Sequence, residues 1–253
     1  MKTWFVAEDS IVRKIWGKAD TVLFIFAGAA AEFALNKAVD WLYFTGRLPA
    51  DPLARLFSTV EYARQIIFAE EEKALAAIDR ITAIHQDVEK KRDSKIPDWA
   101  YRDVLFLLID YSIRSYELLQ SPLNRDEKTE VFEVFYRVGS RMELARLPLN
   151  HTAWVLAREE HLTKNLIKSD FTIDLYRQYK KHLGGARYAI LLQVQSTLVP
   201  ARVNDLLMIK KQYWLSPLLW VYKLCRAIKL DSLLKSLLLP NAYKAQIMAI
   251  DVK

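Results

Sequence analysis

Cysteine is almost missing from this chain of 253 residues. Cys225 stands alone, which excludes an internal disulfide, a zinc cluster built on thiolates and a CxxCH haem attachment, and points to a reducing, cytosolic compartment. Six glycines and eight prolines leave little room for linkers or low-complexity tracts. Strand signals are few: there is no clear period-two run and no Asn-Gly or Asp-Gly hairpin dipeptide. An uninterrupted membrane-length apolar run is also missing. The best candidate, VLFIFAGAAAEFALNKAVDWLYF, is broken by Glu32, Lys37 and Asp40, so it reads as a buried helix. The N-terminal MKTWFVAEDSIVRKIW has no apolar stretch followed by a small-residue cleavage site, and secretion is not expected. HExxH and repeated ExxH patterns are absent, which argues against a zinc or di-iron bundle.

The charge balance is basic, +7, but 37 lysines and arginines are spread along the chain among 30 acids. No nucleic-acid motif accompanies them, so a solvated charged surface is the reading and specific nucleic-acid binding is not expected. Hydrophobic residues make up 52%, enough for a sizeable core.

Helix signals dominate what is present. Asp20 or Thr21 is expected to cap a helix running to about Phe44, stopped by Gly46. Asp51 followed by Pro52 is a cap and first-turn proline, opening a helix that carries Arg55 and Thr59. The acids Glu70 to Glu72 suit the positive end of a second helix, which carries His85 and ends at Lys90, Lys91 and Arg92. Asp98 is expected to cap WAYRDVLFLLIDYSIRSYELL, and Asn124 with Glu127 to form a side-chain cap for a helix through Arg141. A helix over HTAWVLAREEHLTKNL follows Pro148. FTIDLYRQYKKHL then ends at Gly184-Gly185, and three further segments lie between prolines. The expected fold is all-α: one bundle-like array of about ten helices with mostly short connections.

Three polar residues in apolar helical surroundings stand out. Arg55 and Thr59 are four apart and share one helix face. His85 carries Ile78, Ile81 and Val88 on its own face, so its imidazole is expected to point into packed protein. Each has an ordinary structural role available. His85 fits a core histidine bonded to a neighbour, and Arg55 an ion pair with Asp51 or another acid. Thr59 fits a hydroxyl bonded to the carbonyl of Arg55.

The stretch DPLARLFSTVEYARQIIF, followed by IHQDV and WAYRDVLFLLIDYSIRSYELL, resembles the all-helical DUF2236 family that includes latex-clearing rubber oxygenase and the fungal oxygenase MpaB. The resemblance is spread over about residues 10–240 and is sharpest between about residues 50 and 120, with 1–253 expected to form a single domain. It implies a b-type haem between helices, with His85 as proximal iron ligand and Arg55 and Thr59 lining the pocket. It also implies dioxygen chemistry on carbon–carbon double bonds of isoprenoid chains. Two positions depart from the pattern. Ser58 stands where rubber-cleaving members have a lysine that can take the distal iron position, and Glu89-Lys90 follow Val88 where a glycine is usual. Polymer cleavage and distal coordination therefore lie outside what the resemblance implies.

The resulting expectation is a haem b-dependent oxygenase using dioxygen on a hydrophobic, unsaturated isoprenoid or lipid-like molecule. The alternatives are a haem-binding sensor or carrier without turnover, and a helical membrane-surface or interaction protein without cofactor. SPLLWVYKLCRAIKLDSLLKSLLLP supports the last of these, because Leu219, Tyr222 and Ile228 adjoin a basic stripe of Lys223, Arg226 and Lys229 suited to the inner face of an anionic membrane. The competing reading of that segment is a final core helix. Among the remaining groups, Glu32 and Asp40 fit either a base near the pocket or partners of Arg55 or Lys37. His161, set among charges in AREEHLTK, is expected to be exposed, and His182 to favour a helix C-terminus. The sequence does not define the oligomeric state.

Overall fold

The computed structural model describes residues 3–46, 50–210 and 251, without the side chains of 53–57. Among the described residues there are ten helices and no sheet. In chain order they are α1 (Ile11–Trp16), α2 (Ala19–Phe33), α3 (Asp40–Phe44), α4 (Pro52–Ile67) and α5 (Glu71–Arg92), then α6 (Asp98–Leu119), α7 (Arg125–Arg141), α8 (His151–Lys164), α9 (Asp170–Leu198) and α10 (Ala201–Leu207). The all-α expectation is met. The amphipathic C-terminal segment with its basic stripe, and Cys225 within it, fall outside the described residues.

α6 is the centre of the array. Leu105 through Ile113 are all buried, an all-round burial that requires neighbours on every side. α2, α7 and α8 supply them. The close approach of α2 to α6 depends on Gly28. A Cβ there would lie 2.3 Å from Cδ1 of Tyr111 and 3.0 Å from Leu198, so only a hydrogen leaves space for the tyrosine ring.

α4 and α5 form an antiparallel hairpin whose tight turn at 68–70 is held by the N-terminal segment. The Phe5 amide donates to the Ala69 carbonyl (3.3 Å) and the Glu71 amide to the Thr3 carbonyl (2.8 Å). As expected, Pro52 is the first residue of α4. The Asn124–Glu127 capping box also forms, with both bonds at 2.9 Å.

Other expectations are corrected. α2 begins at Ala19, and neither Asp20 nor Thr21 caps it; the Ala19 amide donates to the carboxylate of Asp251 (2.8 Å). Asp98 is the first residue of α6 and Pro97 its cap position. The helix expected to run to Phe44 stops at Phe33, because the backbone beyond it is engaged by the segment after α8. The Ile167 amide donates to the Leu35 carbonyl (2.7 Å), the Lys37 amide to the Asn165 carbonyl (3.0 Å) and the Thr172 hydroxyl to the Ala34 carbonyl (2.7 Å). Gly184-Gly185 bends the chain without ending it: Gly184 sits at φ 72° as a kink between the two halves of α9.

Candidate functional site

The three residues singled out in the sequence fall on the α4–α5 hairpin. At about 1.5 Å rise per residue, Arg55 lies ~18 Å from the α4 end of the turn, Thr59 ~12 Å, and His85 ~21 Å from the α5 end. Arg55 and His85 are therefore at nearly the same height on adjacent helices, with Thr59 about one helical turn nearer the hairpin turn than Arg55. The Arg55 side chain lies outside the described residues, and with it the expected pairing to Asp51. Thr59 and Ser58 are half-buried.

His85 sits on the inward stripe of α5, formed by Ala74, Ile78, Ile81, His85 and Val88 at helical spacing. Burial thins along it. Ala74 and Ile78 are fully buried, whereas Ile81, His85 and Val88 are half-buried. The expectation of an imidazole pointing into packed protein is met in part: Nδ1 of His85 is buried, while the residue as a whole is half-buried. Its ring lies edge-on to Tyr101 of α6, with centroids 5.1 Å apart. Tyr101 is fixed in turn: its hydroxyl donates to Glu89 (2.9 Å), and the same carboxylate oxygen accepts the Ile96 amide (2.9 Å). Burial, then the Glu89 bond, pushes the Tyr101 phenol well above its ordinary pKa, so it remains a neutral donor.

The far end of α5 is clipped by α3. Arg92 donates to Asp40 (2.7 Å), and its guanidinium lies over the Trp41 ring at 4.1 Å and the Phe44 ring at 5.4 Å. Asp40 is thus Arg92's partner and not a partner of Lys37, whose ammonium donates to the Lys164 carbonyl. Two surface cavities, of about 390 Å³ between α9 and α10 and about 350 Å³ beside Glu133, lie away from His85.

A second polar constellation lies in the core, and sequence reasoning misassigned its members. Glu32 of α2 is wholly buried and takes the guanidinium of Arg158 on α8 through both carboxylate oxygens. The Tyr111 hydroxyl donates to Glu32 (2.9 Å), and Nε2 of His161 meets it at 3.0 Å. Arg158 also donates to Asp110 (2.9 Å), which holds Arg114 (2.7 Å). On its other side, His161 Nδ1 lies 2.6 Å from Asp103, which also accepts from Asn165 (3.2 Å) and Asn36 (3.3 Å). Burial alone would raise the Glu32 pKa. The Arg158 charge and the bonds from Arg158 and His161 outweigh it and hold Glu32 down to about 2.

Glu32 is therefore bonded by Arg158, His161 and Tyr111, while Lys37 donates to the Lys164 carbonyl. His161 is 3% exposed, against the expectation of a surface histidine. The signal was present in the spacing: Trp154, Arg158, His161 and Asn165 follow i, i+4, i+7, i+11 on one face, while Glu159, Glu160 and Lys164 lie on the other. Among the described residues, no group of three or more His, Cys, Asp or Glu side chains is arranged to hold a metal ion. In the core cluster, arginine and histidine serve as the cations.

An all-helical array is the fold that the sequence resemblance implied. The chain belongs to the family described as ER-bound oxygenase mpaB/B′ and rubber oxygenase, catalytic domain, whose sequence pattern matches residues 13–229. No curated protein and no solved structure matches the chain. The family is one of oxygenases. No helix among the described residues is long and apolar enough to cross a membrane.

Proposed function

We propose that this protein is a haem b-dependent oxygenase that uses dioxygen on a hydrophobic, unsaturated isoprenoid or lipid-like molecule. The reading rests on membership of an oxygenase family. The observation that carries the site is His85: an imidazole on the inward stripe of α5, half-buried among Ile81 and Val88, level with Arg55 on the adjoining helix. The donor set fits the group. A haem needs from the protein one neutral imidazole and a largely apolar wall, and this face offers both.

When bound, the haem supplies the redox chemistry with dioxygen. His85 would hold the iron through one ring nitrogen, with a bond from the other fixing the tautomer. Tyr101, edge-on to the ring, limits its rotation. Arg55, a permanent cation, would pair with the anionic groups of the cofactor or with negative charge in the pocket. The Thr59 hydroxyl would orient dioxygen or a nearby water. Ile81 and Val88 offer the apolar surface that excludes water from the reacting centre. Dioxygen and a hydrophobic small molecule are then the partners.

Ser58 favours a second reading. With serine in place of the lysine of rubber-cleaving members, a haem-binding sensor or carrier without turnover fits the same site. Oxygen uptake separates the two. An oxygenase consumes dioxygen when a polyunsaturated isoprenoid is added to the haem-loaded protein, and a carrier does not. Equal uptake by wild type and His85→Ala would defeat the assignment of His85.

A further inference from the structure

We propose that His161 is a fixed imidazolium clamped between Glu32 of α2 and Asp103 of α6, and that this clamp is an alkaline-sensitive latch on the α2–α3 turn and the start of α6. The two carboxylate contacts favour N–H on both ring nitrogens, with the Asn165 amide nitrogen lying farther from Nδ1 at 3.3 Å. Nε2 lies 3.0 Å from a Glu32 oxygen and Nδ1 lies 2.6 Å from an Asp103 oxygen. A neutral imidazole has one N–H, so its second nitrogen would aim a lone pair at a carboxylate oxygen. Asp103 already accepts from Asn36 and Asn165 as well as from His161, a donor set suited to the charged carboxylate.

The charges facing the ring point the same way. From α2 comes Glu32; from α6 come Asp103 and Asp110, with Arg114 on Asp110; from α8 comes Arg158. Three carboxylates meet two guanidiniums, and only a protonated His161 balances them. The nearest other cations are directed elsewhere: Lys37 donates to the Lys164 carbonyl and Arg102 to the Ala145 carbonyl. Tyr111, bonded to Glu32, is held protonated by burial and by the Glu32 charge.

The latch has a mechanical reach. Asn36, held by Asp103, turns its own side-chain oxygen to the Ala38 amide (2.8 Å) and so shapes the turn into α3. α3 clips the end of α5 through Asp40 and Arg92. Asp103 lies two residues beyond Tyr101, whose ring meets His85. His161 is thus a positioning residue for two walls of the candidate cofactor face. That consequence rests on the haem reading above; the protonation state does not.

Burial pulls the His161 pKa down, but its bonds to Asp103 and Glu32 and their charges outweigh this and raise it above the ordinary histidine range. A raised folded-state value means that the latch is complete at and below the ordinary value and fades as pH rises through the raised one.

The test uses haem-free protein labelled with ¹⁵N at histidine, followed from about pH 6 to about pH 9 through the ordinary histidine range. His85→Gln, His151→Gln and His182→Gln assign the other three rings, so His161 is identified even if its own variant does not fold. The expected result is N–H on both His161 nitrogens at a pH above the ordinary histidine range. Hydrogen exchange over residues 36–44 and 98–103, corrected for its intrinsic pH dependence, should then rise at the alkaline end more than exchange in α7. An unprotonated ring nitrogen at neutral pH would overturn the clamp, and unchanged exchange in those segments would overturn the latch. Because no haem is present, failure of the cofactor reading leaves this result untouched, and the reverse also holds.

Discussion

The buried Glu32–Arg158–His161 cluster and the His85 face are built from the same residue types in opposite ways. In the cluster, Glu32 is bonded by Arg158, Tyr111 and His161, and Arg158 by Glu32 and Asp110; both residues are inaccessible to solvent. On the His85 face an imidazole lies half-buried with its ring edge-on to Tyr101, among apolar neighbours whose burial is incomplete. A saturated site fixes helices against one another. A partly covered, sparsely polar face is suited to accepting something. The contrast teaches that burial of a titratable group in this fold marks the frame, while the candidate chemistry sits where burial is incomplete.

The contrast can be broken most severely at Arg158. Replacing it with Met leaves Glu32 and Asp110 buried without their shared cation, and should lower stability by about 3–5 kcal/mol, read as a drop in the urea midpoint. A loss below about 1 kcal/mol would show that water reaches the cluster. Gly28→Ala comes next. Its Cβ collides with Tyr111, and the ring shift that relieves the clash pulls the hydroxyl from Glu32, costing about 1–3 kcal/mol by the same measurement.

Acid titration probes the cluster without mutation. Glu32 has a depressed folded-state value near 2, so its contribution is complete above the ordinary glutamate range and is lost as pH falls towards about 2. Unfolding midpoints measured across that window should fall, and should fall less in Glu32→Gln. The smallest structural effect belongs to His85→Ala, which removes a half-buried ring lying edge-on to Tyr101 and should cost about 1 kcal/mol or less. A much larger loss would move His85 from the accepting face to the frame.

Much of the frame was legible in the sequence. Pro52 after Asp51, the Asn124–Glu127 pair and the apolar α6 each announce local physics that the fold obeys. The end of α2 was not legible, because the groups that break it, Ile167, Asn165 and Thr172, lie more than 120 residues away and act through backbone bonds. The cap of α2 is equally remote, at Asp251. His161 was misread because its sequence neighbours are charged, whereas its inward face is defined by Trp154, Arg158 and Asn165. The candidate site was legible as a motif on helices. Its partial exposure was not, since that depends on how far α3 and Tyr101 cover the end of α5.

Titration of haem into the haem-free protein, followed in the visible spectrum with wild type and His85→Ala side by side, tests the central claim most directly. The account predicts a saturable Soret band in wild type that is lost in His85→Ala, restored by added imidazole, with the fold of the variant intact. A wild-type protein that stays colourless, or a variant whose spectrum and affinity match wild type, would contradict it.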